Sequence, residues 1–473
     1  MPGGTFRGSK RGIKLGSYQN IRARYDALTS SVTNLVLMAI GWTVLLLAIS
    51  PLLGVPWGRA GDFDFRTTMY YHAIMLPLVG ILILITSQIM KVGGHVDTLL
   101  RYSLVPALVL CGVGSLFVKD VNDWFPLWMQ IIGFMVLDEM AIALLFGLIR
   151  MPRRTGQGFR KMNIGYWLVL TTVTAAFIAA VFGHGAGIGV DWGFNSIPGL
   201  PGYITSQGID QSTFTDNLMG SHSHDMLPSV MGGIVGLAMV FFGYDTLKGP
   251  RRWLATFGMA VSEFGVLSMT LVFIVAGLTS WGPPTLFANG PNGVAGDDVL
   301  MGLVGIGAII ALVGIISMPV ERRGKKTVPL AKDPLRLSVV LTWLLSVVFV
   351  AGVGYFIEFS ETYFSSDAGL PHDEAFTSTH LMFGFFMMPL VAGCLLALDL
   401  IYRRTENAPY PQFVAPFALI GESAMFLGGI VWIMALNSVL FFVGFGVLVF
   451  TLLLIAYYLY GIRGLPMTQP FRG

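Results

Sequence analysis

The stretch Met69-Tyr70-Tyr71-His72-Ala73-Ile74-Met75-Leu76-Pro77-Leu78-Val79-Gly80-Ile81-Leu82-Ile83-Leu84-Ile85-Thr86-Ser87-Gln88-Ile89-Met90 carries no Asp, Glu, Lys or Arg until Lys91 ends it. A helix rises about 1.5 Å per residue, so about 20 such residues cross the hydrocarbon of a bilayer. Only a helix can do so here, because a lone strand would leave its backbone polar groups without partners in lipid. His72 falls about one turn into the run. An imidazole at that depth is costly unless it is bound or hydrogen-bonded.

Runs of this kind recur along the chain. Twelve are expected, at roughly 33–55, 69–91, 101–118, 125–150, 166–184, 224–246, 253–281, 298–318, 336–358, 378–402, 412–436 and 438–461. Hydrophobic residues make up 54% of the 473 and charged residues 12%, which excludes a soluble domain. The sequence therefore predicts an all-α polytopic membrane protein with about twelve transmembrane helices. Its parts are a basic N-terminal segment (1–32), a membrane domain (33–462) and a short C-terminal tail (463–473). The basic segment leads into a full-length span without a small-residue cleavage site, which predicts a first helix and not a removed signal. Cys111 and Cys394 fall inside apolar runs, as buried inert thiols do.

The basic residues set an orientation. With the N-terminus inside, only Arg59, Arg66 and Lys119 lie outside, while runs such as Arg150, Arg153, Arg154, Arg160 and Lys161 lie inside. Both termini are thus expected in the cytoplasm, the chain being integral to the cytoplasmic membrane. The basic runs read as topology signals against anionic lipid, and no nucleic-acid partner is expected. The outer loops are acidic, through Asp62, Asp64, Asp120, Asp123, Glu358, Glu361, Asp373, Glu374 and others. Such a face would steer a positively charged extracytoplasmic electron carrier, such as a c-type cytochrome or a cupredoxin. Depletion of Lys and Arg by topology alone gives the same pattern.

Of seven histidines, all but His95 are expected near this outer side. His72, His224 and His380 each stand near the outer start of a span, on the second, sixth and tenth helices. They recur at roughly 150 residues, as three four-helix units about one axis would. His72 and His380 are placed at one depth on different helices. A low-spin haem needs that, with one axial imidazole on each face. A lone intramembrane histidine would read as a helix-to-helix hydrogen bonder.

With twelve helices, internal termini and outward histidines on helices two, six and ten, chiefly His72, His224 and the run His380-Leu381-Met382-Phe383-Gly384, the chain resembles the catalytic subunit of the haem-copper oxidases and their nitric oxide reductase relatives. The resemblance covers nearly the whole chain in architecture and implies an oxidase subunit I-like bundle, with haem b bound as a low-spin bis-histidine group by His72 and His380. It implies other membrane subunits as partners. The sequence departs from the family at three places. Ser378 stands where the tenth helix of the family has the histidine of its catalytic haem. The seventh helix, around Ser262-Glu263-Phe264-Gly265, has no histidine pair, and Pro228 replaces the tyrosine of the oxidase crosslink. The ligands of a dinuclear centre are thus not carried over.

His184, His222 and His224 form a candidate second site for a metal, copper or iron among them, or for a second haem. On one continuous helix His222 and His224 would point about 200° apart, so sharing an ion requires His222 to be still in loop, beside the long 185–221 connection, and not yet in the helix. Asp138, Glu139, Glu263 and Glu422 fall within spans and are candidates for proton relay or for structural pairing. His95 and His372 receive no role. The expectation is a haem b-binding membrane subunit of a respiratory electron-transfer complex, an oxidoreductase of oxidase or nitric oxide reductase type. The alternatives are a proton- or metal-coupled transporter without haem and a non-catalytic electron-relay subunit.

Overall fold

Apolar length decides the architecture of the computed structural model, which describes residues 15–53, 65–119, 122–280, 296–320, 327–353, 375 and 378–467. The helices are α1 (Leu15–Thr29), α2 (Val32–Ile49), α3 (Phe65–Met90), α4 (Gly94–Phe117), α5 (Trp124–Arg154), α6 (Ile164–Asp191), α7 (Leu200–Ser206), α8 (Gln211–Phe242) and α9 (Gly249–Leu278). After them come α10 (Gly296–Ile315), α11 (Pro334–Val348), α12 (Met388–Arg404), α13 (Val414–Ala435) and α14 (Val439–Ile462). A two-residue antiparallel pair, Pro319–Val320 with Val328–Pro329, is the one sheet among the described residues. Wider π-helical turns, with i to i+5 hydrogen bonding, run over Phe349–Val353 and His380–Met387.

Ten of these helices are long and apolar enough to span a membrane, and the chain is an integral membrane protein. The expected stretches 298–318 and 336–358 form shorter apolar helices, Val299–Ile315 and Pro334–Val348. The second of these passes into the π-helical turn that begins at Phe349. The expected loop 185–221 is largely helical: α6 runs on to Asp191, α7 fills part of the middle, and α8 starts at Gln211. The first turns of α8 are polar, and Asp210 caps them by accepting from the Thr213 amide at 2.7 Å. Hydropathy alone does not report such a segment as helix.

Small residues let neighbouring helices close up, which is how helices associate where lipid offers no hydrophobic drive. A methyl on Gly258 of α9 would lie 2.3 Å from the Ala311 backbone nitrogen of α10, and one on Gly444 of α14 would lie 2.4 Å from the Met425 nitrogen of α13. Burial then ranks the spans. The α3, α8 and His380–Arg404 spans are 72%, 72% and 94% buried, against 33–44% for the other seven, so these three form the inside of the bundle. All three touch one another. They are the spans that carry His72, His222 with His224, and His380.

Candidate histidine site

His72 lies one turn into α3, with its Nδ1 2.8 Å from the carbonyl of Thr68, four residues earlier on the same helix. A carbonyl can only accept, so Nδ1 carries the ring proton and Nε2 keeps its lone pair. His222 on α8 is held in the same way across helices: its Nδ1 is 2.8 Å from the carbonyl of Ala179 on α6. The two rings stack, with centroids 5.9 Å apart and planes at 20°. Gly183 makes this docking possible, because a Cβ there would sit 2.7 Å from the His222 Nδ1.

His184, inside α6, places its Nδ1 3.3 Å from Asp138 Oδ2 on α5. Phe134, one turn before Asp138, lies against both His72 at 5.8 Å and His184 at 6.2 Å between centroids. The site is thus a cluster of His72, His184 and His222 around Phe134, with Nδ1 of His72 and of His222 each held by a carbonyl and Nδ1 of His184 within ion-pair distance of Asp138. Nδ1 acceptors of this kind fix ring orientation and tautomer in metal- and haem-ligating histidines. His72 and His222 are both half-buried.

Because His222 is helical and not in a loop, the expected divergence from His224 holds. His224 is exposed and edge-on to Phe273 of α9 at 5.7 Å, away from the His222 ring. The expected trio of His184, His222 and His224 therefore does not come together, and His72 takes the third place. Among the described residues no three His, Cys, Asp or Glu side chains are arranged to hold one metal ion. A mononuclear copper, zinc or iron ion does not fit this geometry.

His380 begins the π-helical run and is buried, its ring 5.4 Å from that of Phe349, which also contacts Phe383 and Phe426. Tyr71, next to His72, meets Phe386 edge-on at 5.8 Å and so links the α3 side to the His380 side. An imidazole whose Nδ1 is held by a carbonyl, set among aromatic side chains, suits a flat apolar group bearing iron. The residues on α3 fit haem in that sense.

The carboxylates divide. Glu139 is exposed on the outer surface of α5, in line with Ile132, Met135, Ile142 and Phe146. Glu263 lies 3.3 Å from the Thr171 hydroxyl, between α9 and α6. Glu422 is fully buried beside Thr342. Sequence reading passed over Asp225, which is buried with its Oδ1 accepting from Thr270 at 3.0 Å. It also passed over a buried ionic network at the other end of α12. There Asp399 meets Arg336 at 3.2 Å and Arg403 at 2.8 Å, and Arg403 meets Asp333 at 3.0 Å. The i, i+4 spacing of Asp399 and Arg403 was the available signal. His95 is exposed at the start of α4, and His372 lies outside the described residues. Set against protein-family models, curated proteins and solved structures, the chain matches none.

Proposed function

We propose that the chain is a haem b-binding membrane subunit of a respiratory electron-transfer complex, with the architecture of the oxidase and nitric oxide reductase subunits. The observation that carries this reading is His72. Its Nδ1 is held by the Thr68 carbonyl at 2.8 Å, and its ring stacks on that of His222 between two of the three innermost helices. His380, on the neighbouring innermost span, is the proposed second axial ligand. Bound haem would supply a one-electron carrier inside the bundle. Thr68 fixes the tautomer of His72, Phe134 and His222 hold its ring plane, and Phe349, Phe383 and Tyr71 exclude water from the His380 side. With both termini cytoplasmic, the acidic outer loops are the proposed docking face for a positively charged electron carrier.

A second reading, a proton-coupled transporter without haem, draws on the His184–Asp138 pair. That pair lies within the spans, 3.3 Å apart, and is 31% and 23% exposed. The reduced-minus-oxidised spectrum of the purified protein, with a pyridine haemochrome assay and metal analysis, separates the two. A low-spin haem lost in both His72→Ala and His380→Ala is the expected result. Protein that folds without haem sinks the proposal in favour of the transporter.

A further inference from the structure

Helix α11 presents Ser338, Thr342 and Ser346 at successive i, i+4 positions, and all three are completely buried. Three hydroxyls in line on a buried apolar helix form one face. Ser338 donates to the Leu335 carbonyl at 2.8 Å, and Ser346 donates across helices to the Gly384 carbonyl at 3.1 Å. Thr342 lies between them, with its Oγ1 2.6 Å from the Ser338 carbonyl and in close contact with Oε1 of Glu422 on α13.

This contact constrains the proton. A hydroxyl has one hydrogen, and a carbonyl can only accept. If Thr342 donates to the Ser338 carbonyl, its contact with Glu422 is a hydrogen bond only if the carboxyl carries a proton and donates it. The other carboxyl oxygen, Oε2, is buried and has no hydrogen-bond partner among the described residues, and Glu422 has no exposed surface. A carboxylate placed there as an ion would be both uncompensated and dehydrated.

The ends of the line are also defined. Below Ser338, Asp333 caps α11 and Arg336 lies in its first turn, and both belong to the buried network with Asp399 and Arg403. Beyond Ser346, Gly384 lies in the π-helical run that begins with His380. Residues one turn apart on a helix are about 5–6 Å apart, a gap that one bridging water closes.

We propose that Ser338, Thr342, Glu422 and Ser346 form a proton-transfer line between the Asp333–Arg336–Asp399–Arg403 network and the His380 end of the bundle, with Glu422 as its proton-holding station. In each step the Glu422 proton passes to the neighbouring oxygen on one side and is replaced from the other. No electron moves and no bond other than O–H is made or broken. The inference goes beyond the haem reading and does not depend on it.

The test is infrared difference spectroscopy on the purified full chain in H2O and in D2O. Wild-type protein is expected to show the C=O stretch of a protonated acid, shifted in D2O and lost in Glu422→Gln. Thr342→Val should move the band and slow its deuterium exchange about tenfold or more, the scale on which a positioned proton-transfer group acts. Thr342→Ser should restore both, and this pair carries the test if Glu422→Gln does not fold. Absence of the band, or exchange unchanged in Thr342→Val, Ser338→Ala and Ser346→Ala, overturns the proposal. A preparation lacking haem but keeping the band would remove the haem reading alone.

Discussion

The imidazoles of His72 and His222 lie parallel, 5.9 Å apart, and each is held by a backbone carbonyl at Nδ1. The pair joins two of the three innermost helices. Its carbonyl partners come from different places, Thr68 on the same helix as His72 and Ala179 on a neighbour of His222. The roles of the two residues can therefore be separated. His222→Phe keeps a flat ring against His72 and should leave the haem content of the purified protein near the wild-type value. His72→Ala should abolish the low-spin signal. The reverse outcome, signal lost with His222→Phe and kept with His72→Ala, would make His222 the axial ligand.

Asp399 holds Arg336 and Arg403 together where no water reaches, its side chain being 0% exposed. Removing one partner of a buried ion pair leaves an unpaired buried charge and costs about 3–5 kcal/mol. Asp399→Ala should accordingly show a large fall in thermal stability in detergent. Arg22, paired with Asp26 at 3.9 Å with side chains 73% and 46% exposed, provides the contrast. Arg22→Ala should change stability by less than about 0.5 kcal/mol. Equal effects of the two substitutions would show that the network does not hold the helix ends together.

What the sequence revealed and what it concealed have the same physical origin. The run from Met69 to Met90 carries no charged residue, and the expected span 69–91 matches the helix Phe65–Met90 to one residue at its end and four at its start. The first turns of α8, with Thr213, Thr215, Asp216 and Asn217, look like loop to a hydropathy reading, although Asp210 caps them and Phe214 and Leu218 bury one face. That reading left His222 outside the expected helix and grouped it with His224, whereas His184 does lie in its cluster and His72 is the third member. The innermost helices could be picked out by their histidines. The rotation of each ring depended on acceptors such as Ala179, and a backbone carbonyl has no signature in sequence. Ser338, Thr342 and Ser346 were visible as an i, i+4 series, but their meaning required Glu422 of another helix to be placed beside them.

Asp210 lies outside the spans, and its carboxylate is held below the usual range by hydrogen bonds from Thr213. For a group whose pKa is lowered on folding, the stabilisation is fully present above the unfolded value. It is lost as pH falls through the folded one. Melting curves of wild type and Asp210→Ala should therefore differ by a constant amount from neutral pH down to about pH 4, near the ordinary aspartate value, and converge below it. Asp210→Asn, which keeps an acceptor but does not titrate, should show no such convergence. A gap between wild type and Asp210→Ala that persists unchanged into strong acid would show that the cap does not act through its charge.

Orientation can be read from two exposed positions at opposite ends of α6. Thr155 follows the basic end of α5, and Ser206 ends α7 on the far side of α6, which runs through 28 residues, Ile164–Asp191. Both native cysteines, Cys111 and Cys394, are buried, so a membrane-impermeant thiol reagent has little background to meet. The cluster Arg150, Arg153, Arg154, Arg160 and Lys161 near Thr155 should keep that end in the cytoplasm. In intact cells Ser206→Cys should label and Thr155→Cys should not, and Thr155→Cys should label once the membrane is opened. The opposite pattern would turn the bundle over. It would place the His72 end of α3 on the cytoplasmic side and remove the argument for an extracytoplasmic electron donor, because the acidic loops would then face the wrong compartment.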